Sequence, residues 1–384
     1  MGPLAGRRVV DLSQAIAGPY VGRILADLGA DVVKVEWTNG DVTNRFGART
    51  AGLTGLFHHM NAGKRGIGLD LKSPGAVDLI RRLAARADIV VENFRPGVLA
   101  RAGLGYADLA ATNPGLVMAS VSGFGQTGPE AGRAAYAPVI HAESGLLARQ
   151  AAVDDRPIAD VAMSFADEVA ALHATIGILA ALDHRNVTGL GQHVDVGMLE
   201  AMVATDDKVT DAIDGVPETA DSRGYVWEAT GGPILVAADV RTLWRRLSTS
   251  VGLRDLVAAD ASPQERFAGR AEQMGAWLRS FVARRDLLAA LDAAGIAWAD
   301  VRDASTVFES PTLRHGEVVV QVDDHAGGTR GVVRMPYRFS RSTSTVRGPA
   351  PRRGQHDREV LADWLDATDA EIDRLGGGGT MRGD

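Results

Sequence analysis

The feature that most constrains the fold is a series of short, nearly continuous apolar segments, each followed by a helical one. Arg8-Val-Val-Asp-Leu12, Asp31-Val-Val-Lys-Val-Glu36, Asp88-Ile-Val-Val-Glu92 and Leu116-Val-Met-Ala-Ser-Val-Ser122 lack the alternation of a strand with one wet face. Strands of this kind are buried on both faces, and helices between them make a mostly parallel sheet. The first two bracket a helix from about Tyr20 to Leu28, which Gly29 ends. Ser73-Pro-Gly-Ala opens another, with proline in its first turn, running to about Arg86. A third helical run, from Asp167 to about Arg185, is apolar nearly all round and alanine-rich, the pattern of a helix buried on every side. Thr188-Gly-Leu-Gly then turns the chain into Gln192-His-Val-Asp-Val196 and a further helix from about Gly197.

Beyond Asp206 the composition changes. Asp206 to Ser222 is a polar connector, and a smaller α/β unit follows. In it Gly232-Pro-Ile-Leu-Val-Ala-Ala reads as a strand and Thr242 to Val251 as a helix. Arg341 to Pro351 has the composition of an extended linker, Asp357 to about Leu365 forms a last helix, and Gly376 to Gly379 reads as a frayed tail.

A chain of 384 residues is long enough for two domains. The net charge of −7 argues against a nucleic-acid surface or an anionic-membrane surface. With no cysteine there are no disulfides, no thiolate nucleophile and no cysteine-ligated zinc, which fits a cytoplasmic protein. The longest apolar helical stretch, Val169 to Leu182, is interrupted by His173 and falls short of a membrane span. Arg7 and Arg8 are followed by a strand rather than by the apolar core of a signal peptide. No metal site is expected: His58 and His59 lack partners at ligand spacing, and His173 and His184 fall on different helical faces. Gly123-Phe-Gly-Gln-Thr-Gly128 satisfies a dinucleotide fingerprint after a strand, but Pro129-Glu-Ala-Gly-Arg opens no apolar helix, so nicotinamide binding is not expected.

Several motifs carry a resemblance. They are Leu12-Ser-Gln-Ala-Ile-Ala-Gly-Pro-Tyr20, Leu25-Ala-Asp-Leu-Gly-Ala-Asp-Val-Val-Lys-Val-Glu36, Arg65-Gly-Ile-Gly-Leu-Asp-Leu-Lys72 and Val91-Glu-Asn-Phe-Arg-Pro-Gly97. Val121-Ser-Gly-Phe-Gly-Gln-Thr-Gly-Pro129 and Arg185-Asn-Val-Thr-Gly-Leu-Gly-Gln-His-Val-Asp-Val196 continue it, with a fainter echo at Gly348-Pro-Ala-Pro-Arg-Arg-Gly-Gln-His356. In this order the chain resembles the family III CoA-transferases, the group holding formyl-CoA transferases, carnitine-type CoA-transferases and α-methylacyl-CoA racemases.

The resemblance implies a large Rossmann-like domain from residues 1–205 and 340–384, a small α/β domain over 225–330, connectors at 206–224 and 331–339, and an interlocked homodimer. It implies coenzyme A as substrate, with no permanently bound cofactor. Asp167 takes the place of the family's nucleophile, which relays an acyl group between CoA and a carboxylic acid through an anhydride and an aspartyl thioester. Read from the residues alone, an aspartate ahead of an apolar helix is an ordinary N-cap. Leu69, Lys72, Asn93, Phe94, Arg95, Arg101 and Tyr136 match CoA-lining positions, the cations suiting phosphates and Phe94 the adenine.

The match is imperfect around the expected site. The family's polar triplet is Ala135-Tyr-Ala137 here, with Tyr136 where the racemases carry histidine. A common glutamine is His141, a phosphate-binding arginine is Trp37, and the formyl-CoA transferase glutamine is Ile16. These changes disfavour an oxalate- or formate-sized substrate. Two other functions are compatible with the same motifs: an acyl-CoA racemase or epimerase pairing Asp167 with a second acid/base, and a CoA-binding subunit with impaired catalysis.

Overall fold

The computed structural model describes residues 1–70, 72–215, 224–377 and 379–381. The end of the polar connector, 216–223, lies outside the described residues. The chain divides into two compact units, one comprising Met1–Val209 and Glu317–Asp384, the other Thr210–Gly316.

The larger unit is built on six strands: β1 (Arg8–Asp11), β2 (Asp31–Trp37), β3 (Arg65–Leu69), β4 (Ile89–Glu92), β5 (Val117–Ser122) and β6 (His193–Gly197). All pair in parallel, in the order β3-β2-β1-β4-β5-β6. The chain winds outward from β1 to β3, then crosses back to lay β4 against the other side of β1. The loops leaving β1 and β4 therefore diverge at their carboxyl ends and open a crevice, the usual ligand position in such a sheet.

Consecutive residues of each strand serve opposite faces, which explains the unbroken apolar runs. Val9, Val32, Ile89, Val91, Val117, Ala119 and Val121 belong to one core; Val10, Val33, Val35, Ile67, Val90 and Met118 belong to the other. Helices α1 (Ala17–Asp27), α3 (Phe165–Thr188) and α4 (Met198–Thr205) cover the first face. Helix α2 (Pro74–Ala84) and two C-terminal helices, Asp357–Leu365 and Asp369–Gly377, cover the second; the latter, with Ile372 buried, follows the helix expected to be last.

The helix Asp357–Leu365 is clamped to β3. Trp364 is fully buried and its indole N–H donates to Asp31 Oδ2 at 2.8 Å. Gly66 N–H donates to His356 Nδ1 and Gly68 N–H to Asp357 Oδ1, each at 3.0 Å, so the outer edge of the sheet is satisfied rather than left as a template for aggregation. The glycine-rich terminus is not frayed where it is described: Asp70 N–H bonds Thr380 O, and Met381 bridges Leu69.

Helix α3 departs from the sequence expectation. Val169, Ala170, Ala174, Ile178 and Ala181 are buried, but Leu172, Ile176 and Leu179 are 44, 63 and 39% exposed. The inward face packs closely: a Cβ added at Gly177 would lie 2.7 Å from Val194 Cγ1. By length and composition this 24-residue helix is able to span a membrane, contrary to expectation, yet half of its apolar stretch is buried within the molecule.

The smaller unit contains an antiparallel sheet of β7 (Tyr225–Trp227), β8 (Ile234–Val236) and β9 (Trp298–Asp300), with β8 central. Helices α5 (Val240–Ser250), α6 (Pro263–Arg279) and α7 (Arg284–Ala293) pack on it around Leu243, Leu247, Met274, Leu278, Leu287 and Leu291. Local chemistry starts two of them: Asp239 accepts the Thr242 N–H, and Ser262 with Glu265 forms a capping box. The small domain ends earlier than residue 330. The hairpin β10 (Val319–Asp323) and β11 (Thr329–Val333) belongs to the larger unit, because Val322 and Val332 pack with Ala62 and Val346, and Val333 O accepts from Arg23.

Candidate functional site

At the switch between β1 and β4 lies a cavity of about 530 Å³. Its wall includes Gln14, Ala15 and Ala17 after β1, Asn39, Gly40, Val42 and Arg45 after β2, and Asn93 to Pro96 with Val98 after β4. Val121 to Gly123, Ala131 to Tyr136, Asp167 and Met198 complete it.

Asp167 lies in the first turn of α3, three residues beyond the N-cap position, which Ser164 occupies without a side-chain cap bond. The capping reading of Asp167 is thereby corrected: its carboxylate turns to α1 instead, and accepts the backbone N–H of Ala17. Ala17 is the first residue of α1, whose N-cap, Ile16, offers no side-chain acceptor. An otherwise orphaned helix donor thus meets a carboxylate, close to the N-terminal ends of two helices. Burial pushes the Asp167 carboxyl up to about 6, and the neighbouring Glu168 adds to this; the Ala17 bond and His141 pull the other way. The group remains mostly ionised at neutral pH and only partly solvated, as a carboxylate nucleophile requires.

His141 holds the start of α3 in place. It is fully buried, and its Nε2 accepts the Ala166 N–H at 3.1 Å. A backbone N–H can only donate, so the other nitrogen, Nδ1, carries the proton and donates to Asp160 at 2.8 Å. His141 thus positions the backbone one residue before Asp167. Nothing in the local sequence distinguishes it from an ordinary helix histidine.

The loop carrying Ala17 is fixed from below by buried charge. Lys64 Nζ is fully satisfied by Asp11 Oδ2 (2.7 Å), Pro19 O (2.8 Å) and Asn61 Oδ1 (2.8 Å). Lys34 Nζ bonds Ser13 O at 2.8 Å and pairs with Asp41 at 3.0 Å. Asp41 Oδ1 in turn accepts from Ala15 N–H at 3.2 Å, holding a non-glycine residue at φ 64°. Breaking a buried pair of this kind leaves a stranded charge and costs roughly 3–5 kcal/mol. Asn93 locks the same loop from β4: its Oδ1 accepts Gln14 N–H at 2.9 Å and its Nδ2 donates to Gln14 O at 2.7 Å.

Of the residues singled out from sequence, Asp167, Asn93, Phe94, Arg95 and Tyr136 share the cavity wall. Leu69, Lys72 and Arg101 do not line it. The Leu69 side chain is fully buried in the second core, Lys72 is exposed beyond β3, and Arg101 ends the short helix Val98–Arg101 with its guanidinium over Gly97. Trp37, at the family's arginine position, packs its ring 6.2 Å from that of Phe94. Sequence reasoning also missed Glu92, which accepts the Phe94 N–H at 2.7 Å and which burial pushes up to about 7. Among the described residues no group of three metal-ligating side chains occurs.

Comparison with known proteins finds relatives over nearly the whole chain. The sequence model of CoA-transferase family III matches residues 4–357. The succinyl-CoA–D-citramalate CoA-transferase of Chloroflexus aurantiacus is 32% identical, with 97% of this chain and 96% of that protein covered. The succinate–glutarate CoA-transferase of Agrobacterium fabrum is 31% identical over 94% of this chain and 95% of its own. A CaiB/BaiF family protein from Brucella suis superimposes with a TM-score of 0.80 at 32% identity, covering 94% of this chain and 99% of that one.

Proposed function

The chain belongs to CoA-transferase family III and moves CoA between an acyl-CoA and a carboxylate; from that premise we propose that Asp167 is the nucleophile of a covalent relay. One observation carries the reading: Asp167 is the only carboxylate on the cavity wall among the described residues, raised by burial and held by the Ala17 N–H.

The steps follow from the chemistry of a thioester. An Asp167 carboxylate oxygen attacks the donor acyl carbon; the C–S bond breaks, CoA thiolate leaves, and a mixed anhydride forms. Thiolate then attacks the aspartyl carbonyl carbon, releasing the donor acid and leaving an aspartyl-CoA thioester. The acceptor carboxylate attacks that thioester and regenerates an anhydride and thiolate. Attack of thiolate on the acceptor acyl carbon gives the new acyl-CoA and frees Asp167. Each intermediate stays activated, so no thioester is spent to water provided that the cavity excludes it.

Arg95 and Phe94 are the CoA-facing groups in this reading, with Asn93 shaping the loop; Tyr136 closes the opposite rim. Lys72, Arg101 and the backbone at Leu69 serve the outer part of the nucleotide. A racemase would need a second acid/base across the α-carbon. Among the described residues the wall offers no histidine for that role, and both nitrogens of His141 are engaged elsewhere. CoA acts as substrate and no resident cofactor is invoked, which is consistent with a cytoplasmic enzyme. The exposed Leu172, Ile176 and Leu179 on α3 support a homodimer.

Succinyl-CoA and glutarate in deuterated water provide the test. The reading predicts glutaryl-CoA carrying no α-deuterium. Deuterium entering succinyl-CoA with no CoA transfer would overturn it in favour of α-carbon chemistry.

A further inference from the structure

We propose that Arg45 binds the second, non-reacting carboxylate of a dicarboxylic acid and so makes this enzyme selective for dicarboxylates; the inference rests on the proposed role of Asp167. Four charged side chains line the cavity: Arg45, Arg95, Arg133 and Asp167. Arg133 is already neutralised, by Glu130 at 2.8 Å and by Glu143. The Arg45 and Arg95 guanidinium groups have no hydrogen-bond or ion-pair partner among the described residues, although the Arg95 carbonyl accepts the Val98 N–H. Arg95 follows Phe94 on the CoA side, which leaves Arg45 as a free guanidinium with no assignment.

Arg45 is exposed, but it stands on tied-down backbone. It ends a single 3₁₀ turn, Val42–Arg45, capped by the buried Asp41, whose Oδ1 accepts the Thr43 N–H at 3.0 Å and its hydroxyl at 2.8 Å. Thr54 ties the turn down further, its Oγ1 donating to Thr43 O at 2.9 Å and its N–H to Asn44 Oδ1 at 3.2 Å. The same Asp41 holds Ala15, two residues before the Ala17 N–H that grips Asp167. The loop that carries Arg45 and the loop that leads to Ala17 are therefore tied to one buried carboxylate, and Arg45 and Asp167 line the same cavity. One carboxylate of an acid is consumed at Asp167. A planar guanidinium on the same cavity wall takes a second carboxylate through paired N–H bonds, and gains nothing from an alkyl chain end.

The test compares glutarate with pentanoate, which has the same chain length and one carboxylate fewer, using succinyl-CoA as donor. In a double-displacement scheme kcat/KM for the acid reports only the half-reaction that the acid enters. Arg45→Gln is expected to lower the glutarate-to-pentanoate ratio of kcat/KM at least tenfold, chiefly through KM, with Arg45→Lys intermediate. Arg95→Gln, acting on CoA, leaves that ratio unchanged. An Arg45→Gln variant that loses both acids equally, or neither, overturns the proposal, as does a wild type that does not distinguish the two acids. Calorimetric binding of each acid to the CoA-loaded Asp167→Asn protein gives a readout independent of the covalent mechanism. There, glutarate binding that vanishes with Arg45→Gln supports the proposal even if the relay fails, and equal binding with and without Arg45 sinks it.

Discussion

At the scale of single residues the account turns on Asp167, whose charge is costly where it sits and useful for the same reason. Its folded carboxyl lies near 6, above the ordinary 3.8. A carboxyl raised in this way stabilises the fold when protonated; that contribution is complete below about pH 4 and is lost as pH rises through the folded value. Asp167→Asn is therefore expected to be as stable as wild type, or up to about 1–2 kcal/mol more stable, at pH 8, with the difference shrinking toward pH 4 in urea titrations. Its transfer rate should fall by about three orders of magnitude or more. In wild type, kcat/KM should rise with pH through about 6, as Asp167 ionises. Equal rates in wild type and Asp167→Asn would return the residue to a purely structural role. The role proposed for Asp167 came only from the motifs around it, because an acidic residue opening an apolar helix has an ordinary structural explanation. Its real partner, the Ala17 N–H, is a backbone group 150 residues away and leaves no sequence signal.

At the scale of elements, the buried strands were readable because residues on both faces of β1, β2, β4 and β5 enter a core. The same apolar richness misled for α3, where a run of alanine and leucine reads as buried all round and the structure leaves one stripe bare. The composition of such a helix does not say whether the covering surface comes from its own chain. A second copy is the covering expected here. Ile176, the most exposed of the stripe at 63%, gives a clean test. Ile176→Glu adds a charge at a position that costs an isolated chain little, but strands it inside an interface. Sedimentation should show wild type as a dimer and the variant shifted to monomer at micromolar concentration, with the far-ultraviolet spectrum retained. A wild type that is monomeric throughout would show that the stripe has another use.

At the scale of the whole molecule, strand order does what no single motif does. Crossing from β3 back to β4 places the loops after β1 and β4 side by side and brings Gln14, Asn93 and Asp167 to one cavity from distant parts of the chain. The Arg8, Asp31 and Asp88 segments could be read as strands, but their lateral order could not, since apolar runs carry no information about neighbours. The unit boundary was misplaced for a related reason: β10 and β11 look like small-domain strands, and only long-range contacts through Val332, Val346 and Arg23 attach them to the larger unit. An acidic protein, at −7 overall, nonetheless lines this cavity with two unpaired guanidinium groups, Arg45 and Arg95, against one carboxylate among the described residues, which suits the anionic thioesters and acids proposed to bind there. The central claim is that this carboxylate becomes covalently acylated in turnover. The most direct measurement holds wild type with succinyl-CoA and no acceptor acid, quenches with hydroxylamine and maps the peptides by mass spectrometry. The account predicts a hydroxamate on Asp167 that is missing from Asp167→Asn; an unmodified Asp167 peptide in a preparation actively moving CoA between two acids would contradict it.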